Sequence, residues 1–182
     1  MLRLCSSSQT RASLLKEAGI DFIQESVDFD EDSIVSQCPK NFVYQATLGK
    51  YEANLAAFGY KDIPLLVADT VVTSQGHILR KARCKDEARD ILMTQSGNIT
   101  SIITCMIYQS SHAKIVDISS THYLFDNFNL DDLDEYIRSG EWRGKAGACM
   151  VEGFCKKYIK EVKGFQSTAM GLNTNLLQRF LK

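Results

Sequence analysis

The sequence predicts an α/β fold, in which a mixed central β-sheet is flanked by helices and two lobes enclose a cleft. Short apolar runs of strand character are intermingled along the chain with amphipathic segments of helical length. The 182 residues, 45% of them hydrophobic, suffice to bury about 70% of the unfolded surface without disulfides. Only two prolines occur and no low-complexity linker is present, so residues 1–182 are predicted to form a single domain.

In the first half of the chain, the predicted strands are short apolar runs, and glycines follow the predicted helices. A Ser-rich loop joins the first strand to the first helix, and an acidic stretch, residues 28–32, follows the second strand. The third strand is set off by Pro64 and by the turn Ser74–Gly76, after which the chain returns as a hairpin. In chain order these elements are strand 2–5, helix 10–18, strand 21–27, helix 41–57 and strand 65–72.

The second half opens with an amphipathic helix on which Ala88, Ile91 and Leu92 share one side. Three strands are predicted next, and the helix after them ends near Gly140. Two more strands precede a closing helix that begins at about Asn173. In chain order these elements are helix 85–95, strands 99–108, 113–118 and 121–125, helix 130–138, strands 148–151 and 158–162, and the closing helix.

Charge and hydropathy exclude several classes of partner. Lys and Arg number 21 against 22 Asp and Glu, and no basic block occurs, so a nucleic-acid partner is disfavoured. The residues after Met1 lack the apolar stretch of a signal peptide, and no run of about 18 uncharged apolar residues occurs. A soluble cytoplasmic protein without a membrane partner is therefore expected.

The six cysteines form no CxxC pair, and the three histidines do not complete zinc-ligand spacing. Free buried thiols in a reducing cytosol are therefore expected, and a thiol redox enzyme is disfavoured. The cysteines are Cys5, Cys38, Cys84, Cys105, Cys149 and Cys155.

The most informative residue is Asp69, which lies inside the apolar run Leu65–Val72. An unpaired carboxylate in a buried strand would cost several kcal/mol, which favours a chemical role for this acid. The alternative is a structural carboxylate that caps a turn or pairs with an arginine.

The loop from Ser6 to Arg11 follows a strand and enters a helix. Its hydroxyls, backbone N–H groups and guanidinium lie at the positive end of that helix and would suit a phosphate. The alternative is that these residues are ordinary N-caps.

Three lysines are candidate cations for the same site. Lys81 follows the hairpin after Asp69, which predicts that its ammonium lies near the carboxylate once the chain doubles back. Lys50 in the second helix and Lys145 before a Gly-containing segment are further candidates. Most lysines are simply solvated, so the alternative for each is a surface role.

An ordered series of motifs resembles the Maf family, nucleoside triphosphate pyrophosphatases also discussed as septum-formation inhibitors. The resemblance runs along nearly the whole chain, and the order of the motifs is what makes it specific. The motifs are the Ser-rich loop with Arg11, Ala-Asp-Thr-Val-Val at 68–72, Gly76, Lys81, Asp86–Ala88, Ser96-Gly97, Lys-Ala-Gly-Ala at 145–148, Gly164 and Met170–Leu172, which Asn173 follows in place of a proline.

The resemblance implies a Maf/ITPase-like fold and hydrolysis of the bond between the α- and β-phosphates of a nucleoside triphosphate. It implies Asp69 as base or metal ligand, with Lys81 as its catalytic partner. It also implies Glu31 as a metal ligand, for which a solvated acidic loop is the alternative. Hard oxygen ligands and a phosphate substrate indicate Mg²⁺ or Mn²⁺. The implied substrate-binding residues are Ser6, Ser8, Arg11, Lys50, Thr70, Lys145 and Glu152.

Two departures from the family pattern bear on substrate binding. The first loop has Gln9-Thr10 before Arg11 where the family commonly has Pro-Arg, so one phosphate-binding cation is missing. Glu152 stands where the family has a glutamine that helps choose the base. A carboxylate only accepts hydrogen bonds whereas an amide also donates them, so the family's preference for dTTP and UTP need not hold here. Thr70 matches a family position associated with substrate choice.

Two functions from different classes follow. The first is a metal-dependent pyrophosphatase, which would cleanse modified nucleotides from the pool. The second is a regulator of cell division that binds a triphosphate with little turnover, which the altered loop and Glu152 favour.

The resemblance also implies a homodimer. Trp142, Phe154 and Tyr158 are candidates for stacking on a base, with core packing as the alternative.

Overall fold

The computed structural model describes residues 1–31 and 34–181 and has the expected mixture of strands and helices. The strands are β1 Leu2–Leu4, β2 Phe22–Gln24, β3 Leu65–Ser74, β4 His77–Leu79, β5 Ile99–Gln109, β6 Lys114–Phe125 and β7 Ile159–Lys163. The helices are α1 Gln9–Glu17, α2 Pro39–Phe58, α3 Lys85–Gln95, α4 Leu130–Ser139, α5 Gln166–Ala169 and α6 Thr174–Phe180, with a 3₁₀ helix at Phe154–Tyr158.

Within the described residues these strands form a sheet of order β2-β1-β3-β5-β6-β7, and β4 pairs with β3. Strand β1 is parallel to both β2 and β3, with Leu4 opposite Gln24 on one side and Leu66 on the other. Strands β4 and β7 are antiparallel to β3 and β6. The prediction of a mixed sheet is therefore confirmed.

The chain divides into two compact units, each with buried apolar residues of its own. The first comprises residues 1–70, 103–120 and 165–182, and the second comprises residues 71–102 and 121–164. In the first unit, β1, α1, β3 and β5 contribute to one apolar cluster. Leu4, Leu15, Leu66 and Met106 are all fully buried there.

In the second unit the aromatic side chains form part of the core. Trp142 is 2% exposed, and its indole N–H donates to the Ile137 carbonyl. The Phe154 ring stacks on Tyr136 with centroids 4.5 Å apart, and Phe128 packs against both Phe154 and Tyr158. Core packing, the alternative to base stacking, is confirmed for Trp142, whereas Phe154 and Tyr158 are half-buried and their role in base stacking stays a prediction.

The predicted strand at residues 148–151 is wrong, because the chain forms turns there. Gly147 and Ala148 both have positive φ, at 69° and 56°, which strand geometry does not allow. The Gly147 N–H donates to the Leu79 carbonyl at 3.1 Å, and the Tyr136 hydroxyl donates to the Ala148 carbonyl. These contacts between distant residues override the local apolar pattern.

The expectation of six free buried thiols is also wrong. Cys149 and Cys155 form a disulfide across the turn, and Cys38 and Cys84 are exposed. The chain reverses between residues 149 and 155 and so brings the two sulfurs together. The disulfide was not predicted because the two cysteines are six residues apart and do not form a CxxC pair. Cys5 and Cys105 are buried and free as expected, and burial raises the pKa of each thiol to about 11.

Other differences concern where elements begin and end. The strands predicted at 113–118 and 121–125 are one continuous strand, β6, because Ser119 and Ser120 do not interrupt it. Helix α2 starts at Pro39, whose fixed φ suits the first helical turn. Helix α5 and the 3₁₀ helix were not predicted. No helix in the described ranges combines the length and apolar character needed to cross a bilayer.

Replacing a core side chain of β3 tests this packing. We expect Leu66→Ala to lower the free energy of unfolding by about 2–5 kcal/mol, because it leaves a cavity beside β1. Val116→Ala on β6 is the control, since Val116 is 47% exposed and should cost far less. Urea denaturation of both variants measures the difference, and equal losses would contradict the assignment of Leu66 to the core.

Candidate active site

A pocket of about 260 Å³ in the first unit brings together residues that are far apart in the sequence. It is lined by the loop after β1, the segment after β2, and Lys50 of α2. Asp69 directly follows Ala68, which also lines the pocket. Five predicted site residues are among its lining: Ser6, Ser8, Arg11, Glu31 and Lys50.

Strand direction explains why these residues meet. Because β1 is parallel to β2 and to β3, the carboxyl ends of all three strands lie at the same edge of the sheet. Polar loops at that edge are where open α/β sheets place ligands. The loop that follows β1 begins helix α1, and Ser8 caps this helix by accepting a hydrogen bond from the Arg11 N–H at 3.3 Å. The N-cap alternative is therefore confirmed for Ser8.

Arg11 is held by three hydrogen bonds to neutral acceptors. Its Nε donates to the Gly171 carbonyl at 2.8 Å, Nη1 to Ser6 Oγ at 3.0 Å, and Nη2 to Thr70 Oγ1 at 3.1 Å. Burial lowers the pKa of Arg11, while the nearby charges of Asp69 and Glu31 oppose that shift. Because no carboxylate of the described residues is hydrogen-bonded to it, the guanidinium can pair with an incoming anion.

Lys50 lies between two carboxylates. Its Nζ is 2.8 Å from Asp69 Oδ1 and 2.5 Å from Glu31 Oε1. Burial acts to lower the pKa of Lys50, but the ion pairs with Asp69 and Glu31 outweigh it, so the pKa is raised. Asp69 is 8% exposed, and its partner is this lysine rather than the arginine of the structural alternative. The Asp69 carboxylate, the Glu31 carboxylate and the Lys50 ammonium therefore form one charged cluster.

Thr70 belongs to a directed chain of hydrogen bonds. Thr104 Oγ1 donates its proton to the Thr168 carbonyl at 2.8 Å and lies 2.9 Å from Thr70 Oγ1. A hydroxyl has one proton, so Thr70 must be the donor between the two threonines, and its lone pairs accept from Arg11. The buried Thr104 was missed by the sequence analysis. Like Asp69, Thr104 is a buried polar residue inside an apolar run, and this pattern could have identified it.

Gly171 leaves room for the Arg11 side chain. It has φ of +104°, and a Cβ added there would lie 3.2 Å from Arg11 Nε and 3.3 Å from Thr70 Oγ1. Its carbonyl is the acceptor for Arg11 Nε. Sequence analysis found this glycine only as a motif position, without a contact to explain it.

The remaining predicted residues, Lys81, Lys145 and Glu152, lie in the second unit. Lys81 forms an antiparallel backbone bridge with Ala146, so Lys81 and Lys145 lie on neighbouring paired segments. Glu152 is exposed, in the turn that the disulfide between Cys149 and Cys155 closes. The predicted proximity of Lys81 to Asp69 stays a prediction.

The fold and the pocket define an α/β protein in which an arginine and serine hydroxyls line a pocket beside a buried carboxylate. The family model of the Maf-like proteins matches residues 1–182, and the chain belongs to this family.

Three similar proteins all carry the name nucleoside triphosphate pyrophosphatase. The protein of a Nitratiruptor species is 53% identical, over all of this chain and 99% of its own length. A protein of Campylobacter jejuni subsp. jejuni is 37% identical over the full length of both chains. A protein of Helicobacter pylori is 37% identical, over all of this chain and 95% of its own.

Replacing Arg11 by lysine tests the anion site. Arg11→Lys keeps the charge but loses the fork that contacts Ser6, Thr70 and Gly171. We expect inorganic pyrophosphate to bind about tenfold or more weakly, measured by calorimetry. Arg3→Lys is the control, because Arg3 pairs with Glu25 outside the pocket lining. Unchanged pyrophosphate affinity in Arg11→Lys would remove Arg11 from the site.

Proposed function

We propose that this chain is a nucleoside triphosphate pyrophosphatase, which hydrolyses the bond between the α- and β-phosphates and releases a nucleoside monophosphate and pyrophosphate. The observation that carries the proposal is the pocket itself. It combines the Arg11 guanidinium with the Asp69–Lys50–Glu31 group. The names of relatives up to 53% identical over the full chain support it.

In this proposal the phosphates bind at the loop after β1. Arg11 supplies the charge and the planar fork that fit phosphate oxygens, while Ser6 and Ser8 supply hydroxyls at the start of α1. Thr70 keeps the Arg11 fork in place by accepting from Nη2. Lys81 and Lys145 of the second unit are proposed as further cations for the triphosphate.

Asp69 is proposed as the base. It takes a proton from the attacking water as the water oxygen forms a bond to phosphorus. The bond from that phosphorus to the bridging oxygen then breaks, and the leaving group takes the electron pair. Lys50 orients the Asp69 carboxylate through the 2.8 Å contact and keeps positive charge beside the reacting phosphate.

A divalent cation, Mg²⁺ or Mn²⁺, fits the pair Asp69 and Glu31. Both carboxylates contact Lys50 Nζ, through Asp69 Oδ1 and Glu31 Oε1, so the two acids would hold the cation beside this ammonium and not at its position. Mg²⁺ in phosphate-processing sites is commonly held by one or two carboxylates together with the substrate phosphates. When bound, the cation would neutralise charge on the triphosphate.

The decisive variant for turnover is Asp69→Asn, which removes the base while keeping the shape of the side chain. We expect pyrophosphate release to fall by about 10²-fold or more, with nucleotide binding retained. Release is measured over a panel of standard and modified nucleoside triphosphates with Mg²⁺ or Mn²⁺. The exposed Asp62→Asn is the matched control. A wild type that binds nucleotide without releasing pyrophosphate would instead support the regulator.

Glu152 is proposed to influence which base is accepted. Glu152→Gln restores the amide donor found in the family, so we expect kcat/KM for dTTP and UTP to rise about tenfold relative to the other triphosphates. Glu161→Gln on β7, an exposed acid of the same unit, is the control. An unchanged order of substrates in Glu152→Gln would exclude Glu152 from base selection.

A further inference from the structure

The segment from Ser26 to Glu31 supplies much of the pocket wall, although it belongs to neither a strand nor an α-helix. It carries Glu31, whose carboxylate contacts Lys50 of α2 and thereby lies near Asp69, the other acid paired with Lys50. Irregular segments hold a side chain in place only where other contacts fix their backbone. Five of its residues line the pocket: Ser26, Val27, Asp28, Phe29 and Glu31.

Asn54 fixes one end of this segment to helix α2. Its side chain is fully buried, its Oδ1 accepts from the Val27 N–H at 3.0 Å, and its Nδ2 donates to the Val27 carbonyl at 3.4 Å. The same Nδ2 donates to the Lys50 carbonyl at 2.7 Å. The Asn54 amide therefore connects the backbone of the segment from Ser26 to Glu31 to the turn of α2 that carries Lys50.

Gly49 fixes the segment a second time, by lacking a side chain. A Cβ added to Gly49 would overlap the Phe29 ring, so the ring rests directly on the backbone of α2, next to Lys50. Glycine is a poor residue for the interior of a helix, and this contact gives a physical reason for it here. Phe29 lies two residues before Glu31, so the packing of its ring on Gly49 restricts the position of the Glu31 backbone.

We propose that Asn54 and Gly49 are positioning residues that hold the segment from Val27 to Glu31 on α2, so that the Glu31 carboxylate lies beside Lys50 and Asp69. The inference rests on the proposed function, because it assigns Glu31 a place in the cation site. The hydrogen bonds of Asn54 and the packing of Phe29 on Gly49 are separate observations that lead to the same role. Neither Asn54 nor Gly49 is proposed to touch the substrate.

The test combines Gly49→Ala with Phe29→Ala. The added methyl group of Gly49→Ala displaces the ring, and we expect the affinity for Mn²⁺ to fall about tenfold in the absence of nucleotide, measured by electron paramagnetic resonance. In the Phe29→Ala background the methyl group has space, so Gly49→Ala should have no further effect. Gln45→Ala, an exposed substitution in α2 that also favours the helix, should leave Mn²⁺ affinity unchanged.

Asn54→Asp provides a second, independent variant, which keeps the acceptor for the Val27 N–H and loses the two donated hydrogen bonds. We expect it also to weaken Mn²⁺ binding and to raise the Mg²⁺ concentration needed for half-maximal pyrophosphate release, while KM for nucleotide at saturating Mg²⁺ changes little. A loss of stability alone would not produce this split.

The outcomes separate the two claims. If Gly49→Ala binds Mn²⁺ as wild type does, or weakens it equally with and without the Phe29 ring, the positioning role is overturned. If the wild type binds Mn²⁺ and the variants weaken it, but no nucleotide yields pyrophosphate, the proposed function is overturned while the placement of Glu31 stands.

Discussion

The site depends on one ammonium group placed between two carboxylates. Asp69 is buried in a central strand, where an unpaired negative charge would cost several kcal/mol. Lys50 of α2 offsets this cost through direct contact, because its Nζ lies 2.8 Å from Asp69 Oδ1 within β3. Glu31 makes a second contact with the same Nζ. Helix α2, strand β3 and the acidic segment are thereby tied to one another by charge.

The remaining positive charge is organised differently. Arg11 is hydrogen-bonded to neutral oxygens of Ser6, Thr70 and Gly171, so its position is fixed while its charge stays unmatched by a hydrogen-bonded carboxylate within the described residues. The chain through Thr104 sets the direction of these hydrogen bonds from inside the core. A protein selected for stability alone would pair such a guanidinium, and leaving it ready for an anion is consistent with a phosphate site.

Local sequence patterns predicted most of the fold, and five of the predicted site residues line one pocket. The strand around Asp69 was predicted because an apolar run lies between Pro64 and a turn, and the N-cap of α1 because serines precede a predicted helix. The prediction of a strand at 148–151 failed because backbone hydrogen bonds to β4 and positive φ at Ala148 override the local pattern. The disulfide between Cys149 and Cys155 was not predicted either, because it depends on a chain reversal that local patterns do not specify.

The sequence by itself determined the class of fold, the family, and the acid at the centre of the site. These follow from hydrophobic periodicity and from motifs whose residues are adjacent or ordered along the chain. The tertiary structure alone decided that Asp69 pairs with Lys50 and that Arg11 donates to Thr70. It alone also decided that Asn54 accepts from the Val27 N–H and that Gly49 faces the Phe29 ring. Such contacts join residues that packing brings together, and no local pattern specifies which side chains will meet.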